Sequence, residues 1–286
     1  MSTVDKESSI SVLRNWQDHR LATYGESPTF NRTGPADVTV LCYFYRPDDQ
    51  VAAKFKYSQC AIYETWRHCG LMKTVIVTNR ESDVIKSFRL KFPDWVSVQT
   101  EPSLVPGDLD CMSIDCNARL GSRFDTPHVL IVQDDGFPLR PGLERFLGKC
   151  DFIGSPFRRR TLPGRIASMV FRHCPANGGF SLRSKRICLA ANKLWRLKFS
   201  NRDFGPEMVD DIFYTDTLPK TSFLYRLLMK MANPAVGADF CYDHCLPDNI
   251  TPAPFGFHSA RAFERLTSIG AVERPSCQHS STQNMV

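Results

Sequence analysis

Between residues 38 and 132, four short apolar runs rich in β-branched residues are separated by three longer stretches whose apolar residues recur at helical spacing. Val38–Tyr45 (VTVLCYFY) has almost no polar face, which a strand tolerates only when both of its sides are covered. From Val51 to Cys69 the apolar positions Ala52, Phe55, Ala61, Ile62 and Trp66 follow a helical period, and Gly70 is a natural stop. Thr74–Thr78 reads as the second strand. Ser82–Phe92 reads as a helix capped by Ser82 and closed by Pro93. Trp95–Gln99, a helix over Asp108–Phe124, and His128–Val132 complete the pattern.

Strand–helix alternation of this kind demands a mainly parallel, Rossmann-like sheet with helices on both faces, so the fold class is α/β. Ligands of such sheets bind beyond the carboxyl ends of the strands. That rule singles out Tyr43–Asp48, Asn79–Arg80, Gln99–Pro102 and Gln133–Gly136 and predicts that they share one crevice. After about residue 150 the alternation gives way to mixed short elements, with helices near 184–198 and 207–216. The expected organisation is one domain over residues 37–267. Its nucleotide-binding half is 37–136 and its acceptor half 137–267. Residues 1–36 are polar and end in Thr33-Gly34-Pro35, which suggests a short helix or loose extension outside the core. Residues 268–286 read as a disordered tail.

Composition narrows the function classes. The 286 residues are 42% apolar and 23% charged, an ordinary globular profile. No apolar run approaches the ~18 residues that span a bilayer, and the N-terminus lacks the apolar core of a secretory signal. A cytoplasmic location is therefore expected. The 11 cysteines are odd in number and scattered, often within apolar runs, as buried free thiols in a reducing compartment would be. Cys241-Tyr-Asp-His244-Cys245 has the look of half a zinc site, but no second ligand pair accompanies it. The net charge is +6, with basic residues at Arg158, Arg159, Arg160, Arg165, Arg172, Arg183, Lys185 and Arg186. This cluster suits a diphosphate, an anionic acceptor or the inner face of a membrane as a peripheral contact. It is not interleaved with aromatics in a nucleic-acid-binding motif, so no nucleic acid is expected.

Four segments carry candidate chemistry. The strand HVLIV delivers Gln133-Asp134-Asp135-Gly136 into a turn, where two adjacent carboxylates suit either a divalent cation or a capped loop. Asn177-Gly178-Gly179-Phe180-Ser181-Leu182-Arg183-Ser184 has paired glycines that permit close backbone approach or a tight turn, with Ser184 placed to cap the next helix. Asp210-Asp211 opens a helix, a position favoured by the macrodipole and equally suited to a general base. Pro254-Phe-Gly-Phe-His258 ends in a histidine that suits a half-buried structural role or metal ligation.

In this order, VLIVQDDGFPLRPGLERFLGKCDFIGSPF, ANGGFSLRS, VDDIFY and PFGFH resemble the glycosyltransferase-like domain of unknown function numbered five-six-seven-two, over roughly residues 38–260. The resemblance implies a GT-A fold, in which an Asp-x-Asp signature holds Mn²⁺ or Mg²⁺ against the diphosphate of a nucleotide-sugar donor. Gln133-Asp134-Asp135 matches that signature with its first acid replaced by an amide. Asp135 then takes the place of the principal metal ligand, Asp134 the middle position, and His258 the late histidine that completes the metal sphere. Asp210-Asp211 matches the acidic pair of inverting members, with Asp211 as base. Asn177, Gly178 and Gly179 would line the acceptor and donor-sugar side. Tyr43, Tyr45, Arg46, Asn79, Arg80, Gln133 and Asp134 become candidates for donor binding.

The function so implied is metal-dependent, inverting transfer of a sugar from a nucleotide-diphosphate sugar to a hydroxyl of a saccharide or lipid-linked acceptor, in cell-surface polysaccharide synthesis. The alternative, motivated by Gln133, is a catalytically weakened nucleotide-sugar-binding scaffold. A dinucleotide-dependent enzyme is disfavoured, because Tyr43–Asp49 lacks the Gly-x-Gly-x-x-Gly turn.

Overall fold

The computed structural model describes residues 3–25, 28–30, 32–156, 176–243 and 253–272. Arg158, Arg159, Arg160, Arg165 and Arg172 of the basic cluster, with Cys174, His244, Cys245 and residues 273–286, lie outside the described residues.

The chain opens with α1 (Thr3–Tyr24), then alternates through β1 (Val38–Phe44), α2 (Asp48–Cys69), β2 (Thr74–Thr78), α3 (Asp83–Lys91), β3 (Val96–Thr100), α4 (Leu109–Arg119) and β4 (His128–Val132). The alternation expected from the sequence is present, and β1, β2, β3 and β4 pair in parallel. Every residue of β1 and β2 is buried, as runs without a polar face require. Ser82 caps α3 by accepting from Ile85 N at 3.4 Å. The third helix ends earlier than its apolar pattern suggested: α4 stops at Arg119 and a 3₁₀ turn over Leu120–Ser122 follows.

Where the alternation fails, the sheet changes direction. β6 (Phe152–Pro156) and β7 (Ala176–Ser184) add antiparallel strands, giving the order β3-β2-β1-β4-β7-β6. The central sheet is thus mostly parallel and flanked by helices. A second sheet joins β5 (Gly136–Pro138), β8 (Cys241–Asp243) and β9 (Gly256–His258). This small sheet sets Gly136 opposite His258 and Asp243 beside it.

The later helices are α5 (Lys185–Lys198), capped by Ser184, and α6 (Asp210–Ile212), which continues through a π turn over Phe213–Thr217 into α7 (Leu218–Thr221). After them come α8 (Phe223–Leu228), α9 (Pro234–Phe240) and α10 (Ala260–Ser268). No helix among the described residues is long and apolar enough to cross a membrane.

Successive side chains of β1 feed opposite layers, as the two-residue period of a strand dictates. Val40, Cys42 and Phe44 pack with Phe55, Ile62 and Trp66 of α2 and Phe88 of α3. Leu41, Tyr43 and Tyr45 pack on the other face with Leu120, Ile187, Trp195 and Phe213. The eight described cysteines are free thiols, and all but Cys150 are buried.

The N-terminal segment departs from the expectation of a short helix or loose extension apart from the core. α1 runs for 22 residues, and its Leu13 and Trp16 are buried with Phe137, Phe257 and Phe263. The Trp16 ring lies 5.9 Å from Phe137 and 5.2 Å from Phe263. Arg20 Nε and Tyr24 Oη reach Glu64 of α2 at 2.7 and 2.8 Å. Burial alone would raise the buried Glu64 carboxyl, but hydrogen bonds from His68, Arg20 and Tyr24 hold it down to about 2. Few apolar residues mark this helix in the sequence because one thin stripe and a buried ion pair carry its docking.

Candidate active site

At the end of β4 the backbone reverses tightly: Gln133 N donates to Gly136 O at 2.9 Å, and Gly136 N returns the bond at 3.1 Å. Asp134 and Asp135 occupy the two positions between, and their side chains part company. Asp134 turns to α1. Its carboxylate accepts from Arg14 Nη2 at 2.6 Å, and its carbonyl accepts from Gln17 Nε2 at 2.7 Å. Of the two sequence readings of Asp134, metal ligand or backbone-amide cap, the geometry shows neither. The side chain is engaged in an ion pair.

Asp135 faces the small sheet. Its Oδ1 lies 3.9 Å from His258 Nε2, and its carbonyl accepts from Ser259 N at 2.8 Å. Gln133 Oε1 also approaches His258 Nε2, at 3.3 Å. Burial and the neighbouring Asp134 push the Asp135 carboxyl up, and His258 and Arg14 oppose that rise. Behind the imidazole, Nδ1 lies 3.6 Å from Asp243 Oδ2. Asp243 is almost wholly buried and also accepts from Asn177 Nδ2 at 3.0 Å and Ser259 Oγ at 3.3 Å. Burial by itself would lower the His258 pKa. The nearby Asp243 carboxylate, with the charges of Asp135 and Asp211, outweighs it and raises it.

The carboxylate behind the ring favours the tautomer with its proton on Nδ1, which leaves Nε2 to ligate a metal. Among the described residues no group of three or more His, Cys, Asp or Glu is placed to hold a metal ion. The pair Asp135 and His258 supplies two ligands. That donor set fits Mg²⁺ or Mn²⁺ when substrate phosphates and water fill the remaining positions.

The paired glycines lie in a strand, not in a tight turn. β7 runs from Ala176 to Ser184, and the glycines answer to space on its two sides. A Cβ on Gly179 would lie 2.1 Å from His258 Nε2 and 2.7 Å from Gln133 Oε1. A Cβ on Gly178 would lie 2.6 Å from Arg183 Nη2, 2.8 Å from Asp210 Oδ2 and 3.1 Å from Asp211 Cβ. Gly178 and Gly179 are therefore the shared wall between the Asp135–His258 pair and the acids of α6. Asn177 Oδ1 fixes that wall by accepting from Gly179 N at 2.8 Å.

The two acids of α6 also divide their roles. Asp210 pairs with the fully buried Arg183 at 2.7 Å. Arg183 lies over the rings of Phe152 and Tyr214, and its pKa is raised: burial would lower it, but the charge of Asp210 prevails. Asp211 is half-buried, and its Oδ1 accepts from Ile212 N at 2.7 Å. Burial and Asp210 push the Asp211 carboxyl up to about 6, against the pull of Ile212 N, Arg183 and His258. A carboxyl so tuned can exchange a proton near neutral pH.

The ends of β1 and β2 are tied to each other. Arg80 pairs with Asp48 at 2.6 Å, and Asn79 Nδ2 reaches the Arg46 carbonyl at 3.4 Å. Arg46 Nη1 lies 3.1 Å from the Tyr45 carbonyl. Tyr43 and Tyr45 are not displayed at the rim as the strand-end argument expected. Both are buried in the layer beneath α4, because they share the strand face of Leu41. Tyr43 Oη donates to Asp115 at 2.8 Å, and Asp115 in turn receives Arg123.

Sequence reasoning missed Arg14, Gln17, Arg183 as a partner of Asp210, and Asp243. Only Asp243 had a signal, inside the Cys241–Cys245 stretch, where it was overshadowed by the thiols and by His244. Ser259, with a positive φ of 85°, is a further missed element. Its amide, hydroxyl and cap to Ala262 N tie Asp135, Asp243 and α10 together, which is the kind of over-determination that sustains strain at functional sites.

The sequence profile of a family described as "Protein of unknown function (DUF5672)" matches residues 116–258, half of the chain. No curated protein matches the sequence. Among solved structures, the chain is similar to a mannosyltransferase from Pyrobaculum calidifontis described in complex with GDP-Man and Mn²⁺, at 14% identity and a TM-score of 0.39. That match covers 79% of this chain and 63% of the other. Apo-form glycosyltransferase GlyE of Streptococcus pneumoniae is similar at 10% identity and 0.44, over 78% and 54%. The mannosyltransferase Ktr4p of S. cerevisiae is similar at 10% identity and 0.40, over 72% of each chain. This chain thus spans less than two thirds of the first two. Scores this low decide neither fold nor chemistry, and both rest on the geometry above.

Proposed function

Because the chain belongs to the DUF5672 family of proteins of unknown function, we propose a function from its own site: transfer of a sugar from a nucleotide-diphosphate sugar to an acceptor hydroxyl. One observation carries the reading. Asp211, pushed up to about 6, stands against the Gly178–Gly179 wall whose other side is occupied by His258 and, beside it, Asp135. Glycosyl transfer needs a base for the incoming hydroxyl and a cationic partner for the departing diphosphate, on different sides of the reacting carbon.

In this reading Asp135 and His258 hold Mn²⁺ or Mg²⁺, which supplies charge neutralisation to the diphosphate. Asp243 keeps His258 oriented from behind. Asp134 does not ligate; with Arg14 and Gln17 it fixes the turn that presents Asp135. Asp211 Oδ takes the proton of the acceptor hydroxyl, and the pair of Asp210 with Arg183 keeps the neighbouring acid from competing for it. Attack from the Asp211 side inverts the anomeric centre. The fold is read as GT-A, and the acceptor as a saccharide or lipid-linked saccharide of cell-surface polysaccharide synthesis, made at the cytoplasmic side of a membrane that the protein touches peripherally.

The second reading, a nucleotide-sugar-binding scaffold, draws on Gln133 Oε1 at 3.3 Å from His258 Nε2, since an amide in that place can occupy the nitrogen a metal would use. Donor binding and turnover across a panel of nucleotide sugars with Mn²⁺ separate the two. The transferase reading expects Asp135→Ala to lose metal-dependent donor binding, and Asp211→Asn to bind donor but turn over roughly 10²–10⁴-fold more slowly. Wild-type turnover in Asp211→Asn sinks the base. Metal-dependent binding that survives Asp135→Ala sinks the ligand pair, and binding without any turnover favours the scaffold.

A further inference from the structure

Away from the site, α8 turns its apolar side chains outward. Phe223, Leu224, Leu227 and Leu228 are 73%, 64%, 65% and 56% exposed, while Tyr225 alone is buried and holds the helix on the core. At 100° per residue the four occupy one continuous arc of roughly 140°. Soluble surfaces scatter such residues singly; a contiguous group marks a place where something docks. The end of α5 lies alongside, with Lys198 Nζ donating to the Thr221 carbonyl, and it adds Leu197 at 69% exposure.

The charge around this patch is predominantly positive, with Asp203 and Asp216, the latter paired with Lys220, as the acids at its margin. Residues 193–202 contain Lys193, Arg196, Lys198 and Arg202, and residues 218–233 contain Lys220, Arg226 and Lys230; neither segment holds an acid. All seven are exposed. A protein partner's apolar groove would be matched by a mixed rim, whereas apolar side chains ringed by exposed cations are the pattern of an element lying in the headgroup layer of an anionic bilayer.

We propose that α8, with the end of α5, is a membrane-docking surface that inserts Phe223, Leu224, Leu227 and Leu228 into bilayers rich in anionic lipid. It locates the peripheral contact that the sequence assigned to the cluster at 158–186, and it places that contact elsewhere. The contact rests on no sugar chemistry, so its test needs neither donor nor metal.

Sedimentation with vesicles of phosphatidylcholine alone and of phosphatidylcholine with phosphatidylglycerol provides that test, at low and high salt. The wild-type chain binds the anionic vesicles, loses most of that binding at high salt, and ignores the neutral ones. Phe223→Ser with Leu227→Ser weakens binding at least tenfold at unchanged thermal midpoint. A second variant, Lys198→Glu with Arg226→Glu, weakens it by a similar factor and leaves the apolar face intact. Absence of binding to anionic vesicles, or binding by either variant as tight as that of the wild-type chain, overturns the proposal. So does a dimer in solution that dissociates on Phe223→Ser with Leu227→Ser while vesicles are ignored, for the patch would then serve a second copy of the chain.

Discussion

At the carboxyl ends of β1 and β2 the polar side chains satisfy one another: Arg80 holds Asp48, Asn79 reaches the Arg46 carbonyl, and Tyr43 donates to Asp115. On the β4–β7–β9 side they crowd around shared charge. Asp135 and Asp211 are both pushed up, His258 is raised by three carboxylates, and Gly178 and Gly179 leave no room for a methyl group. One side is a settled surface that can position a ligand through what it leaves exposed. The other side holds groups whose protonation a ligand or metal would change, and such groups cluster where chemistry is done.

The contrast can be broken at its strongest point first. Asp211→Asn should cost about 4 kcal/mol of transition-state stabilisation, read as kcat at saturating donor. The wild-type rate should fall as pH drops through about 6, because the carboxyl works only when deprotonated and its pKa is raised to that value. A pH–rate profile with no acid limb near 6 would remove Asp211 from the mechanism. Gly179→Ala comes next. Its methyl would displace the His258 ring, and a misplacement near 1 Å costs on the order of 10²-fold in rate, whereas circular dichroism should show the fold intact. Asp243→Asn should then weaken Mn²⁺ binding roughly tenfold or more, measured by titration calorimetry with donor nucleotide present, since a carboxylate behind a ligating imidazole raises its basicity. The smallest effect belongs to the settled side. Tyr43→Phe deletes one buried hydrogen bond and should lower stability by about 1 kcal/mol in denaturant titrations, with kcat unchanged. A large loss of kcat there would erase the distinction between the two sides.

Legibility in the sequence follows the same division. The strand–helix alternation and the mainly parallel sheet could be read because a two-sided buried strand leaves an unbroken apolar run, and VTVLCYFY and HVLIV are such runs. Asp135, His258 and Asp211 were visible because each ends or begins an element. Tyr43 and Tyr45 misled for a reason internal to strands: proximity to the carboxyl end says nothing about which face a side chain takes, and both share the face of Leu41. Arg183, Asp243, Arg14 and Gln17 gave little sign because their roles are set by partners far along the chain, 27 residues away for Arg183 with Asp210 and 120 for Arg14 with Asp134. A periodic pattern records which face is covered, not by which residue.

The pairing of α1 with α10 has a consequence in time. Trp16 rests on Phe263, and Ser9 bonds to Glu264 across a separation of 255 residues. At roughly 5–20 residues per second of synthesis, α1 waits on the order of ten to fifty seconds for α10. Until then Leu13 and Trp16 stand bare to solvent and chaperones, and Arg14 has no settled turn to clasp. The acidic turn would thus take its working shape only after α10 has been made, and a ribosome stalled before residue 260 would release a sheet without a site.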